Sequence, residues 1–597
     1  MPKFRDFVPH QRIRPSLALS PDGSTVAYSS NAGGNFDLWV LSIGTREARQ
    51  LTELVDQAVR QIAWVPDGKS LVFSADRQGD EQFRLYRVDI DGTGLTEISS
   101  GRDCQRLLAT APFDAAGRYL AYAANDRDET VQDLIVRDLA DDTERRIVPP
   151  PEVGFEPAGI SPDGKWLLTA GFRSNTDVGI YLIDLETDGE PVCVTAEYGE
   201  GVFEPGPWMA DSSGFYLLTD LWGEFTAAAR YHLDGTLEPV AHHEWDVELL
   251  DATGDTIAWS VNAAGRSTLH ALQAHSAIDL PETPPGVVTS LTLAPHGQAA
   301  VVLIDAATRP VEIAVLDQKR GFRYLTDGRP PALHVVEPVA PESITYPAAV
   351  GRQVQGLLYR PHREGPHPVL LSIHGGPEEQ ERPRYAFSGL YQHLLDQGIA
   401  VFAPNIAGST GYGSAHQKLI YRDWGGVDLD DLDHAVRYLQ AATDLDTGRM
   451  AAMGASYGGF AALSCLSRLP YQWAAGVSLC GPTNLVTLAE ACPPTWKTFV
   501  ATVLGDPEKD TKYLTERSPV TYADAIEAPL LILQGARDPR VPRAESDQLV
   551  ERLRDRGVHV AYEVFDDEGH GFSRRKNELR AYEDIAQFLT RHLLFRG

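Results

Sequence analysis

The chain has 597 residues, of which 43% are hydrophobic, 9% aromatic and 23% charged. That is an ordinary globular composition on a chain too long for one core, so at least two domains are expected. Its 53 lysines and arginines against 83 aspartates and glutamates leave a net charge of −30. A surface that negative repels phosphate backbones and anionic lipid, which argues against nucleic acid or membrane partners.

No stretch approaches the run of about 18 apolar residues that a spanning helix needs. The N-terminal stretch MPKFRDFVPHQRIRP carries no apolar leader. The five cysteines, Cys104, Cys193, Cys465, Cys480 and Cys492, share no CxxC or Cys/His cluster. Free thiols, a cytoplasmic location and no metal or other cofactor are therefore expected.

In chain order, the first half is a repeat. LALSPDGSTVAYSS at 17–30 returns as IAWVPDGKSLVFSA at 62–75 and GISPDGKWLLTAG at 159–171, with weaker copies to residue 304. The aligned turn glycines are Gly23, Gly68, Gly117, Gly164, Gly214, Gly254 and Gly297. Each copy reads as strand, tight turn and strand, the proline or aspartate presetting the first corner and glycine accepting positive φ. Two further strand-like runs follow most copies. Four short antiparallel strands per unit, repeated seven times, predict a seven-bladed β-propeller over 15–335, preceded by a short segment 1–14. The first and last repeats are both complete, so ring closure needs no exchanged strand.

From 336 to 597 the pattern changes to alternating strands and helices. Apolar strands are predicted at 368–374, 399–405, 449–455, 474–480, 529–535 and 560–566, with helical stretches between them. This alternation predicts a mostly parallel sheet with helices on both faces, an α/β-hydrolase domain.

Gly454-Ala455-Ser456-Tyr457-Gly458 lies between a strand and a helix, the context of a nucleophile elbow. Asp538 and His570 follow in the order Ser, Asp, His, each just past a predicted strand. In such a triad the histidine takes the serine proton and the aspartate fixes the imidazole tautomer. Oxyanion donors are expected from the Tyr457 N–H and from the loop His374-Gly375-Gly376-Pro377, in which His374 reads as an anchor. Asp428, Asp430, Asp431 and Asp433 open a predicted helix and read as its solvated start. Arg537, Arg540 and Arg543 read mainly as surface ion-pair residues.

These motifs, with HGGP (374–377), GSTGYG (408–413), DWGG (423–426) and SPVTYADAI (518–526), resemble the prolyl oligopeptidase family of serine peptidases along nearly the whole chain. The HGGP loop and short N-terminus look most like its acylaminoacyl-peptidase branch. The resemblance implies catalysis by Ser456, Asp538 and His570, oxyanion donors at Tyr457 and Gly376, and short peptide substrates selected for size by the propeller. Ala407 stands where the family usually has an arginine before GST. The propeller sequence contains no Glu-Glu pair of the kind that grips a free amino terminus in the family's dipeptidyl peptidases, which takes weight from that subclass.

A carboxypeptidase alternative would use Arg540 for the terminal carboxylate. Trp496 and Phe499 suggest an apolar or aromatic specificity pocket. An esterase, or a propeller binding module with an inactive hydrolase domain, are the readings of another kind, and a homo-oligomer is left open.

Overall fold

The computed structural model describes residues 2–99 and 101–595. Seven four-stranded antiparallel units occupy residues 13–50, 57–97, 106–147, 154–193, 203–241, 247–277 and 287–324, the seven blades of a β-propeller, and a parallel bridge from Gly159 to Ala111 joins the third and fourth into one eight-stranded sheet. At six turns the repeat glycine holds the left-handed corner, for example Gly23 at φ 72° and Gly164 at φ 74°. Blade 5 departs from this expectation. Its corner is Ser212 at φ 60°. Gly214 there begins the strand Gly214–Thr219, where an added Cβ would lie 2.1 Å from the Tyr231 carbonyl oxygen. That glycine is retained for close strand approach, not for the turn.

Among the described residues no strand pair joins blade 1 to blade 7. The two meet through Ile13, Val26 and Tyr28 packed on Val301, Leu303 and Ile313. Closure is by side-chain burial, as the complete terminal repeats predict.

The second half is one eight-stranded sheet in the order 342–347, 353–359, 400–405, 367–373, 445–455, 475–479, 530–535, 560–565. The first three strands pair antiparallel and the remainder parallel. Alternate residues of His367–Ile373 serve opposite faces. Val369, Leu371 and Ile373 pack with Leu432, Phe460 and Leu549 on one side. Leu370 packs with Leu390, Leu394 and Ile585 on the other. Burial on both faces explains why these strands read as continuous apolar runs.

The segment before the propeller packs on the hydrolase domain. Phe4 and Val8 enter the core containing Leu390, the Tyr385 hydroxyl donates to the Phe7 carbonyl at 2.7 Å, and Arg5 pairs with Glu583 at 2.6 Å. No helix of the described residues is long and apolar enough to cross a membrane.

Candidate active site

The strand Leu445–Ala455 passes through Ser456 directly into the helix Tyr457–Arg468. Ser456 sits at φ 56°, ψ −125°, a conformation that costs a non-glycine residue about 1–3 kcal/mol and persists only when its surroundings impose it. They do so through glycines. A Cβ on Gly454 would lie 2.2 Å from the Gly458 carbonyl carbon, and one on Gly458 would lie 2.1 Å from the Ile373 carbonyl oxygen. One on Gly459 would meet the Gly481 Cα at 2.7 Å. The G-x-S-x-G spacing, with the glycine that follows it, is thus a record of three backbone contacts.

Asp538 lies past the strand Leu530–Gly535 and is buried. Its Oδ1 accepts the N–H groups of Arg540 and Val541, both at 2.9 Å. Its Oδ2 accepts the His570 Nδ1–H at 2.7 Å. An ionised carboxylate only accepts, so this bond places the imidazole proton on Nδ1 and leaves Nε2 its lone pair. The Cys480 thiol completes a group whose polar atoms all lie within 4.8 Å of one another. Burial pushes that thiol well above its ordinary range, so it stays protonated.

His374 is buried, with Nδ1 2.7 Å from the Gly375 carbonyl and Nε2 2.9 Å from the Ser409 hydroxyl. Burial lowers its pKa, which keeps the ring neutral. It ties the HGGP loop to the GSTGYG loop, the anchor that the sequence suggests. Gly376 has φ 110°, and a Cβ there would lie 2.5 Å from the Glu378 nitrogen. Among the described residues, neither the Gly376 N–H nor the Tyr457 N–H donates to a protein acceptor. Where the family usually has an arginine, the Ala407 N–H donates to Asp431 Oδ2 at 2.9 Å, and Arg352 pairs with the same carboxylate at 3.0 Å.

The expected solvated aspartate cluster is corrected by this arrangement. Asp430 is exposed, but Asp428 and Asp431 are buried. Asp428 Oδ2 accepts the Tyr457 hydroxyl at 2.5 Å and the Gly425 N–H at 3.0 Å. Positions 428, 431 and 435 share one helix face with Leu432, so helical periodicity would have exposed the error.

A cavity of about 1850 Å³ lies between the domains. Ser456, His570 and the HGGP loop line one side, and Glu156, Phe172, Arg173 and Glu248 of the propeller line the other. Leu488, Trp496, Phe499, Val500 and Leu504 form an apolar wall, which places both aromatic residues of the suggested pocket. Arg540 also lines the cavity, but not as a free cation. Its Nε lies 2.8 Å from Glu81 of blade 2, and its guanidinium stacks over Trp496 at 5.1 Å. Arg382 likewise spans the domains to Glu248 at 2.8 Å.

Family models match in both halves: the prolyl oligopeptidase family over residues 385–595 and the TolB beta propeller domain over 8–190. The chain is 30% identical to dipeptidyl aminopeptidase BIII of Pseudoxanthomonas mexicana across 96% of its own length and 86% of that protein's. This chain belongs to the prolyl oligopeptidase family. It is a serine peptidase with the family's propeller and hydrolase domains. It is also 24% identical to dipeptidyl-peptidase 5 of Porphyromonas gingivalis, over 97% of this chain and 93% of that one. A puromycin-hydrolyzing peptidase of Mycobacterium tuberculosis superimposes with a TM-score of 0.83 at 20% identity, covering 100% of this chain and 96% of that one. At that identity the likeness concerns the fold.

Proposed function

We propose that this prolyl oligopeptidase family member is an exopeptidase that removes a short unit from the amino end of peptides small enough to enter the cavity. Ser456 Oγ attacks the scissile carbonyl while His570 Nε2 takes its proton. The N–H groups of Tyr457 and Gly376 receive the oxyanion, and His570 then protonates the leaving amine. Water hydrolyses the resulting ester by the same proton path. Asp538 holds the imidazolium. The observation that carries this assignment is the 2.7 Å bond to a buried Asp538 made by His570, which lines the same cavity as the strained Ser456.

Amino-end action is supported by the near full-length similarity to a dipeptidyl aminopeptidase. It is supported also by the side chains that follow the HGGP loop. The propeller sequence offers no Glu-Glu pair, yet Glu378-Glu379 lies in the hydrolase domain beside the nucleophile, and both line the cavity. Arg540, the residue that the carboxypeptidase alternative would use, is paired with Glu81. An acylaminoacyl-peptidase reading rests on the HGGP loop, on fold likeness and on a more distant sequence likeness at 21% identity.

The test is digestion of a peptide library, free and blocked at either end, alongside denatured casein. Release of amino-terminal units from short free peptides, with casein left uncut in its interior, is the expected result. Efficient internal cleavage of casein defeats the size filter. Release from the carboxyl end defeats the amino-end assignment.

A further inference from the structure

Three glutamates follow the HGGP loop, and the structure gives them different tasks. Glu378 accepts hydrogen bonds from Asn175 at 2.9 Å, Gln417 at 2.8 Å and the Tyr421 hydroxyl at 2.8 Å. It is occupied in joining the propeller to the hydrolase. Glu381 is partly buried in the cavity wall, and burial pushes its pKa to about 8, so it is largely protonated at neutral pH.

Glu379 differs from both. Its side chain is exposed to the cavity and, among the described residues, forms no ion pair or hydrogen bond. Its backbone is fixed, because the Thr410 N–H donates to its carbonyl at 3.0 Å. Its carboxylate is also close to the nucleophile. From the point where a Cβ on Gly375 would sit, Glu379 Oε2 is 3.8 Å away and the Ser456 Cβ 3.9 Å away. The carboxylate is therefore within about 8 Å of the Ser456 side chain. An extended residue spans roughly 3.5 Å. A group held by Glu379 thus lies one or two residues from a carbonyl over Ser456, and no further.

We propose that Glu379 receives the free α-ammonium group of the substrate and so sets the cut one or two residues from the amino terminus. This rests on the amino-end exopeptidase reading and assigns the residue that enforces it. An unpaired carboxylate in a cavity favours a cation over a neutral amide, and the ammonium–carboxylate bond is of the stronger, charge-assisted kind. An acylated amino end offers no cation there, and its carbonyl oxygen would face the carboxylate. Glu379 therefore selects in favour of free ends and against blocked ones.

The experiment compares wild type with Glu379→Gln and Glu379→Ala on two chromogenic substrates, a free dipeptidyl p-nitroanilide with phenylalanine at the cleaved position and its N-acetyl counterpart. Labelling of Ser456 by a fluorophosphonate checks that the site is intact. The two rates on each variant are read as a ratio, so a partly inactive preparation cancels.

Loss of one hydrogen bond to a charged group is worth roughly a 10- to 100-fold fall. That fall in kcat/KM is expected on the free substrate, mostly through KM, with the acetylated substrate unchanged or improved. Equal losses on both substrates, or no loss on either, overturn the role of Glu379 while leaving a wild-type preference for free ends standing. A wild-type preference for the acetylated substrate overturns the amino-end reading itself, whatever the variants do.

Discussion

The Arg540 guanidinium of the hydrolase domain lies 2.8 Å from the Glu81 carboxylate of the propeller. The backbone N–H of the same arginine donates to Asp538 at 2.9 Å. A propeller charge thus pairs with a residue whose main chain holds the buried aspartate. Arg540 is partly exposed, so the pair contributes little to stability, of the order of 0–1 kcal/mol. Its charge is already neutralised, and that yields a prediction. Arg540→Ala should slow free-acid and amidated peptides by the same small factor. A loss confined to free-acid peptides, in parallel kinetics on matched substrates, would restore the carboxylate-binding role.

Replacing Ser456 by alanine should lower peptide hydrolysis about 10⁴-fold or more and abolish fluorophosphonate labelling, with the fold intact by circular dichroism. Asp538→Asn should be similarly severe. An amide can donate where the carboxylate only accepts, so the imidazole is held in the wrong tautomer. More than a few per cent residual activity in Ser456→Ala, measured on protein free of other peptidases, removes that serine from the nucleophile's role.

Asp428 is buried and satisfies two buried donors, the Tyr457 hydroxyl and the Gly425 N–H. Asp428→Ala leaves both unpaired, at roughly 1–3 kcal/mol for each donor. Urea unfolding should show the hydrolase domain destabilised by about that sum, and Tyr457→Phe should recover part of the loss in the double variant. Strict additivity of the two substitutions would mean that the hydrogen bond carries no coupling energy.

Glu381 gives a pH-dependent prediction. Burial raises its folded pKa from an ordinary 4.5 to about 8, with Arg384 opposing the shift and Glu379 reinforcing it. Between those values the folded chain holds a proton that the unfolded chain has lost, so this group makes stability fall as pH rises through the window. Glu381→Gln removes the effect. The variant's advantage in urea midpoint over wild type should be absent below pH 4.5, grow up to about pH 8 and then level off. A gap that stays constant from pH 4 to 9 would place the Glu381 pKa at its ordinary value.

Features set by contacts within a few residues of chain were legible in the sequence. The turn glycines mark the blades because a left-handed corner is paid for least by glycine, and the strand–glycine–serine–glycine–helix pattern marks the elbow because Gly454 and Gly458 meet within the turn itself. The continuous apolar runs announce strands buried on two faces.

Other features were decided only when distant segments met. Gly214 aligns with the turn glycines but serves strand contact with Tyr231, and Ser212 takes the corner. Asp428 and Asp431 read as solvent-facing charges until Tyr457, Ala407 and Arg352 arrive beside them. Arg540 reads mainly as an ion-pair residue, but its partner, Glu81, lies more than four hundred residues earlier in the chain and is shown only by the fold. Glu379 is set apart from its neighbours only where Asn175, Gln417 and Tyr421 occupy Glu378 and burial protonates Glu381. The charge and availability of a side chain depend on what desolvates and pairs it, and those partners come from both domains.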